Sequence, residues 1–196
     1  MDKVRDAGTW LILGALIAVP IALAVTSPLL AWREPIYIAA GLAGVVGLCL
    51  ILLQPLIIAG SLPGITRRVG RTLHPWLGGF LVLTVIVHIV GLWFTSPPDV
   101  LDALLFRSPT WFSVWGVIAM WSAIAAALLV AFRGKSPARR ARVRRLHVVL
   151  TTLVAITTIA HAILIEGTME FTSKLVLCTA VLVAMGVSVF TLRSWR

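Results

Sequence analysis

Four histidines are the residues of this chain best suited to chemistry, and they fall into two pairs, His74 with His88 and His147 with His161. Both pairs have the same i, i+14 spacing. In an α-helix that spacing means about 21 Å of rise and a rotation about 40° short of four full turns. Both members of a pair then point to nearly one face, one toward each side of a bilayer. Two facing helices of this kind offer two bis-histidine pockets, one above the other. Paired imidazoles from facing helices suit the trans axial positions of a planar iron porphyrin. Zinc takes three or four protein ligands, often with Cys or carboxylate, and no Asp, Glu or Cys inside the apolar runs lies one turn from these histidines. Glu166, five residues past His161, reads as a loop residue at the outer edge, with proton donation as its other possible role.

The flanks fit a flat apolar cofactor. Gly78 and Gly79 follow His74 by one turn, Gly91 follows His88, Thr151 and Thr152 follow His147, and Ala160 and Ala162 flank His161. Small residues leave room for a porphyrin, and they equally let bare helices pack closely. Arg67, Arg68, Arg71, Arg144 and Arg145 cluster at one end of the two histidine segments. Guanidinium groups there would pair with haem propionates, although membrane topology alone also gathers arginines at that end. Pro75 directly follows His74. Because the residue before proline is pushed from helical geometry and proline is tolerated in a first turn, His74 is expected at the mouth of its helix.

The elements that must position these residues are set by composition. The chain has 196 residues, 60% hydrophobic and 12% charged, with a mean hydropathy of +1.03. A soluble domain is normally about 25% charged and about half apolar. Lipid must therefore solvate much of this surface, which excludes a cytosolic enzyme, a disordered chain and a disulfide scaffold. Six runs are long enough to span a bilayer: about 9–26, 36–58, 73–94, 111–132, 146–165 and 175–192. They are continuous rather than alternating, so an all-α polytopic fold of six spans is expected, as a single haem-binding domain over residues 1–196, with the haems held between spans three and five. Trp10, Trp32, Trp93, Trp111 and Trp195 fall near span ends and read as interface anchors.

Charge sets the orientation. Arg67, Arg68 and Arg71 share a side with Arg133, Lys135, Arg139, Arg140, Arg142, Arg144 and Arg145, and with Lys3, Arg5, Arg193 and Arg196 near the termini. The opposite side has Arg33, Arg107 and Lys174 and five of the seven acids. The positive-inside rule then predicts both termini in the cytoplasm of a multi-pass inner-membrane protein. The net charge of +10 is explained by these short loops, so no nucleic-acid partner is expected. Cys49 and Cys178 lie in apolar runs without a CxxC or CxxCH motif, and are expected as packing residues. Ala22-Leu23-Ala24 resembles a signal-peptidase site, but the first run is long enough to be retained as a span.

Arg67-Arg68, His74 and His88, with Arg144-Arg145-Leu146-His147 and His161, resemble the ferric-reductase-like transmembrane domain family. That family includes NADPH oxidase membrane domains, ferric reductases and the small haem-binding membrane subunit of bacterial methionine-sulfoxide reductase systems. The resemblance covers roughly residues 60–165. It implies two b-type haems, an inner one on His74 and His147 and an outer one on His88 and His161. It implies one-electron transfer from a cytoplasmic or quinol donor to a periplasmic protein, ferric complex or oxygen. Some of the small subunits lack a counterpart to His74, which leaves one or two haems open. No GxGxxG motif is present and the sequence ends just after the sixth run. The chain alone is thus expected to bind neither FAD nor NAD(P), and to need a separate flavoprotein or membrane quinol. Two other readings stand beside this one. A quinol-oxidising di-haem cytochrome b subunit shares the ligand spacing. A non-haem transporter would use the histidines as a proton relay, with Gln54 as a further polar group.

Overall fold

The structure is a computed structural model that describes residues 2–193. Trp195 and Arg196, read above as an anchor and a topological charge, lie outside the described residues. Seven α-helices and one short 3₁₀ turn make up the secondary structure, with no strand among the described residues. The helices are α1 (Asp2–Val25), α2 (Pro35–Ala59), α3 (Arg67–Thr95), α4 (Pro97–Leu104), α5 (Trp111–Ala131), α6 (Pro137–Leu164) and α7 (Phe171–Arg193). All except α4 are long and apolar enough to cross a membrane. The third span is therefore α3 and the fifth is α6. A spanning helix satisfies its own backbone hydrogen bonds, which hydrocarbon cannot do for it.

Three features differ from the expectations above. First, several helices run past the apolar segments. Arg139 to Arg145 form the first turns of α6, not a loop, and α6 opens on Pro137, whose missing amide costs nothing at that position. Second, His74 is not at a helix mouth, because α3 begins two turns earlier at Arg67 and carries Pro75 in its interior. Proline removes one amide and crowds the carbonyl four residues back, a defect that spanning helices tolerate. Third, α4 occupies the connection after α3. Its two prolines at the start and Asp99 in the first turn are helix-start signals, on a segment too short to register as a span.

The chain folds as two compact units. One comprises residues up to Gly91 and from Glu166 onward. Within it α2 packs on α7 and α1, burying Leu48, Cys49 and Leu52 of α2 with Leu177, Cys178 and Val181 of α7. Both cysteines are buried and unbridged. Glycines bring α3 against α2. Gly70 abuts the Ile57 carbonyl, a Cβ on Gly78 would lie 3.5 Å from Gln54 Nε2, and Gly91 abuts Ala40. Gly60 ends α2 in the left-handed conformation at φ 68°, which glycine adopts without a steric penalty. The other unit, Leu92–Ile165, is α4 with the hairpin of α5 and α6. Val117, Met120, Ala123, Val154 and Ala155 form its core.

Candidate cofactor site

The four histidines occupy matching places in two helical hairpins. His74 and His88 lie on α3, whose partner is α2, while His147 and His161 lie on α6, whose partner is α5. All four are partly buried.

In the first hairpin His88 Nδ1 is 2.7 Å from the Ala40 carbonyl of α2. In the second, His161 Nδ1 is 2.8 Å from the Phe112 carbonyl of α5. A carbonyl oxygen can only accept, so each Nδ1 carries the proton and donates it. In the neutral ring the basic lone pair is then on Nε2. Metal-ligating histidines are oriented in this way, by donating the other ring N–H to a carbonyl or carboxylate. Phe112 also meets the His161 ring edge-on, with centroids 5.9 Å apart.

A glycine makes each approach possible. A Cβ at Gly44 would lie 3.2 Å from His88 Nδ1, and one at Gly116 would lie 2.8 Å from His161 Nδ1. In both hairpins the glycine stands four residues, about one turn, beyond the accepting carbonyl. The hairpins thus repeat. Ala40 and Gly44 of the first correspond to Phe112 and Gly116 of the second, and His74 and His88 correspond to His147 and His161, at a nearly constant offset along the chain.

The repeat continues at the arginine-rich end. His147 has the backbone of Ala126 near its ring, and Ala126 follows Phe112 on α5 with the i, i+14 spacing of the histidines. Two antiparallel helices thus present partners at the same interval. On α2 the residue at that interval beyond Ala40 is Gln54, whose amide lies against Gly78, one turn past His74. Its Oε1 is buried with no hydrogen-bond partner among the described residues. An orphaned buried acceptor costs about 1–3 kcal/mol, so a polar group supplied from outside the described chain would be well received there.

Of the arginines, Arg71 and Arg144 stand three residues before His74 and His147, on the same helix face. Arg68 and Arg145 are six and two residues before them, on other faces. All four are exposed. Arg71 Nε donates to the Arg67 carbonyl at 3.3 Å, and Arg67 lies against Gly60. Glu166 falls in the connection between α6 and α7, where it faces the charge of Lys174. Lys174 is only 5% exposed. Among the described residues no three His, Cys, Asp or Glu side chains gather as a metal site.

Sequence reading missed Ala40, Gly44, Phe112 and Gly116. The available signal was the repeat itself, which sets Gly44 ahead of His88 and Gly116 ahead of His161 at nearly the same interval. Comparison with protein-family models, with curated proteins and with solved structures finds no match for this chain.

Proposed function

We propose that this chain is a haem-binding membrane domain that carries electrons across the bilayer, in the manner of ferric-reductase-like membrane domains. The observation that carries this reading is the pair of Nδ1 hydrogen bonds, His88 to Ala40 and His161 to Phe112. Each one occupies Nδ1 with a carbonyl and leaves Nε2 as the nitrogen that would hold the iron.

Haem b, when bound, supplies the one-electron redox chemistry. The chain's own residues do the rest. His88 and His161 would hold one haem, and His74 and His147 the other, the pairing their equal spacing suggests. Arg71 and Arg144, one turn before the second set, offer guanidinium partners for propionates. The apolar helix walls exclude water, and burial with ligand basicity tunes the potential. The donor is a separate flavoprotein or quinol on the arginine-rich, cytoplasmic side of an inner membrane. The acceptor is a periplasmic protein, ferric complex or oxygen.

An absorption spectrum of the purified full chain, before and after dithionite, tests the reading. Low-spin b-type bands with two haems per chain are expected. His88→Ala and His161→Ala should each remove one haem and leave the other. A chain without haem when expressed in a haem-replete host, or full haem content in both variants, overturns the proposal.

A further inference from the structure

At the arginine-rich end of the second unit α5 and α6 border a cavity of about 700 Å³. Its walls have two kinds of chemistry. Leu128, Leu129 and Phe132 at the end of α5 with Leu146 of α6 form an apolar side, and Arg139 and Arg142 of α6 form a cationic rim. The arginines are three residues apart, so they neighbour each other on one helix face. Arg139 is already positioned, since its guanidinium donates to the Phe132 carbonyl at 3.0 Å and lies against Gly134. Phe132 caps the end of α5, so the cavity sits where hydrocarbon gives way to headgroups.

We propose that this cavity is a binding site for one anionic phospholipid, its phosphate on Arg139 and Arg142 and an acyl chain along the leucines. The inference is independent of the haem reading. Three arguments select the occupant. The volume is that of an ordinary small-molecule or cofactor site. Arginine's planar fork matches phosphate oxygens in a way a lone ammonium does not. Finally, the segment from Arg133 to Arg145 carries seven basic residues, and no acid occurs between Asp102 and Glu166. That field repels the choline of a zwitterionic lipid and favours a headgroup without a cation, as basic pockets between spanning helices do. A quinol fits less well. Its oxidation releases protons, and no lining residue is a carboxylate or histidine able to take one.

The test uses the full chain, delipidated in a mild detergent, with native mass spectrometry and a thermal melt as readouts. The probes are dioleoyl phosphatidylglycerol, dioleoyl phosphatidylcholine, inorganic phosphate and a short-chain quinol. One phosphatidylglycerol should be retained per chain and raise the melting temperature, at concentrations where the other three have no effect. Arg139→Gln/Arg142→Gln should weaken retention at least tenfold. Arg133→Gln/Arg140→Gln removes the same charge outside the cavity and should weaken it less than threefold. If the first double variant folds poorly, Arg139→Lys/Arg142→Lys keeps the charge and loses the fork, and its retention should fall between the two. Equal losses in the two glutamine variants would show diffuse attraction to a basic face and overturn the site. So would retention of the quinol, binding of phosphate alone, or no retained lipid.

Discussion

Adding a single methyl group to Gly116 should disturb His161 more than the same change at Gly44 disturbs His88. The new Cβ of Gly116→Ala would lie 2.8 Å from Nδ1 and 3.0 Å from Cε1 of His161. An ordinary contact starts at 3.4 Å, so the ring must retreat by about 0.6 Å before dispersion contact is restored. The corresponding distances for Gly44→Ala are 3.2 and 3.3 Å, a retreat of about 0.2 Å. A ring that retreats by the larger amount stretches its 2.8 Å bond to Phe112 toward the weak end of the hydrogen-bond range. Overpacking costs about 1–3 kcal/mol and the weakened bond adds about 1 kcal/mol. Helix propensity returns up to about 1 kcal/mol on replacing glycine by alanine. Gly116→Ala should therefore destabilise the protein by about 1–3 kcal/mol, while Gly44→Ala comes out near zero. Loss of an orienting partner lowers metal affinity about 10–100-fold, so if His161 holds haem as proposed, haem affinity there should fall within that range. Haem titration into apo-protein, redox titration and thermal melting of apo-protein are the measurements. Gly186→Ala is the control, since a Cβ there meets nothing within 4 Å. Unchanged haem affinity and potential in Gly116→Ala, or an effect as large in Gly186→Ala, would contradict this account of the His161 position.

Three further outcomes are expected. Gly70→Ala places a methyl group against the Ile57 carbonyl of a buried helix contact, so it should lower stability by about 2 kcal/mol or more, read by thermal melting. Gln54→Leu removes the unpartnered Oε1 and should raise apo-protein stability by about 1 kcal/mol; a loss of stability would show that the amide is satisfied. Glu166→Gln leaves the buried Lys174 ammonium without the carboxylate that faces it. It should destabilise more than the double change Glu166→Gln/Lys174→Met, and the reverse order in a double-mutant melting cycle would rule out the pairing.

Much of the architecture is legible from local pattern. Continuous apolar runs require spanning helices wherever they occur, because hydrocarbon offers no partner for a bare backbone. The histidine spacing depends only on helical rise and twist. Helix ends were less legible. The arginines of α6 are helical although hydropathy places them outside the span, and Pro75 sits inside α3, since neither polarity nor a single proline stops a helix that packing supports. Within the candidate site, spacing alone dictates that the two histidines of each helix share one face at two levels, and composition alone gathers arginines at one end. The hydrogen-bond partners are a matter of packing. Ala40 lies 48 residues from His88 and Phe112 lies 49 from His161, so only the register of α3 on α2 and of α6 on α5 could bring those carbonyls to Nδ1. The register of α6 on α5 also turned Arg139 and Arg142, and not Arg140 or Arg144, toward the cavity. Hydropathy and helical period belong to a segment, whereas the tautomer of an imidazole and the reach of a guanidinium are set by the neighbour that packs against it.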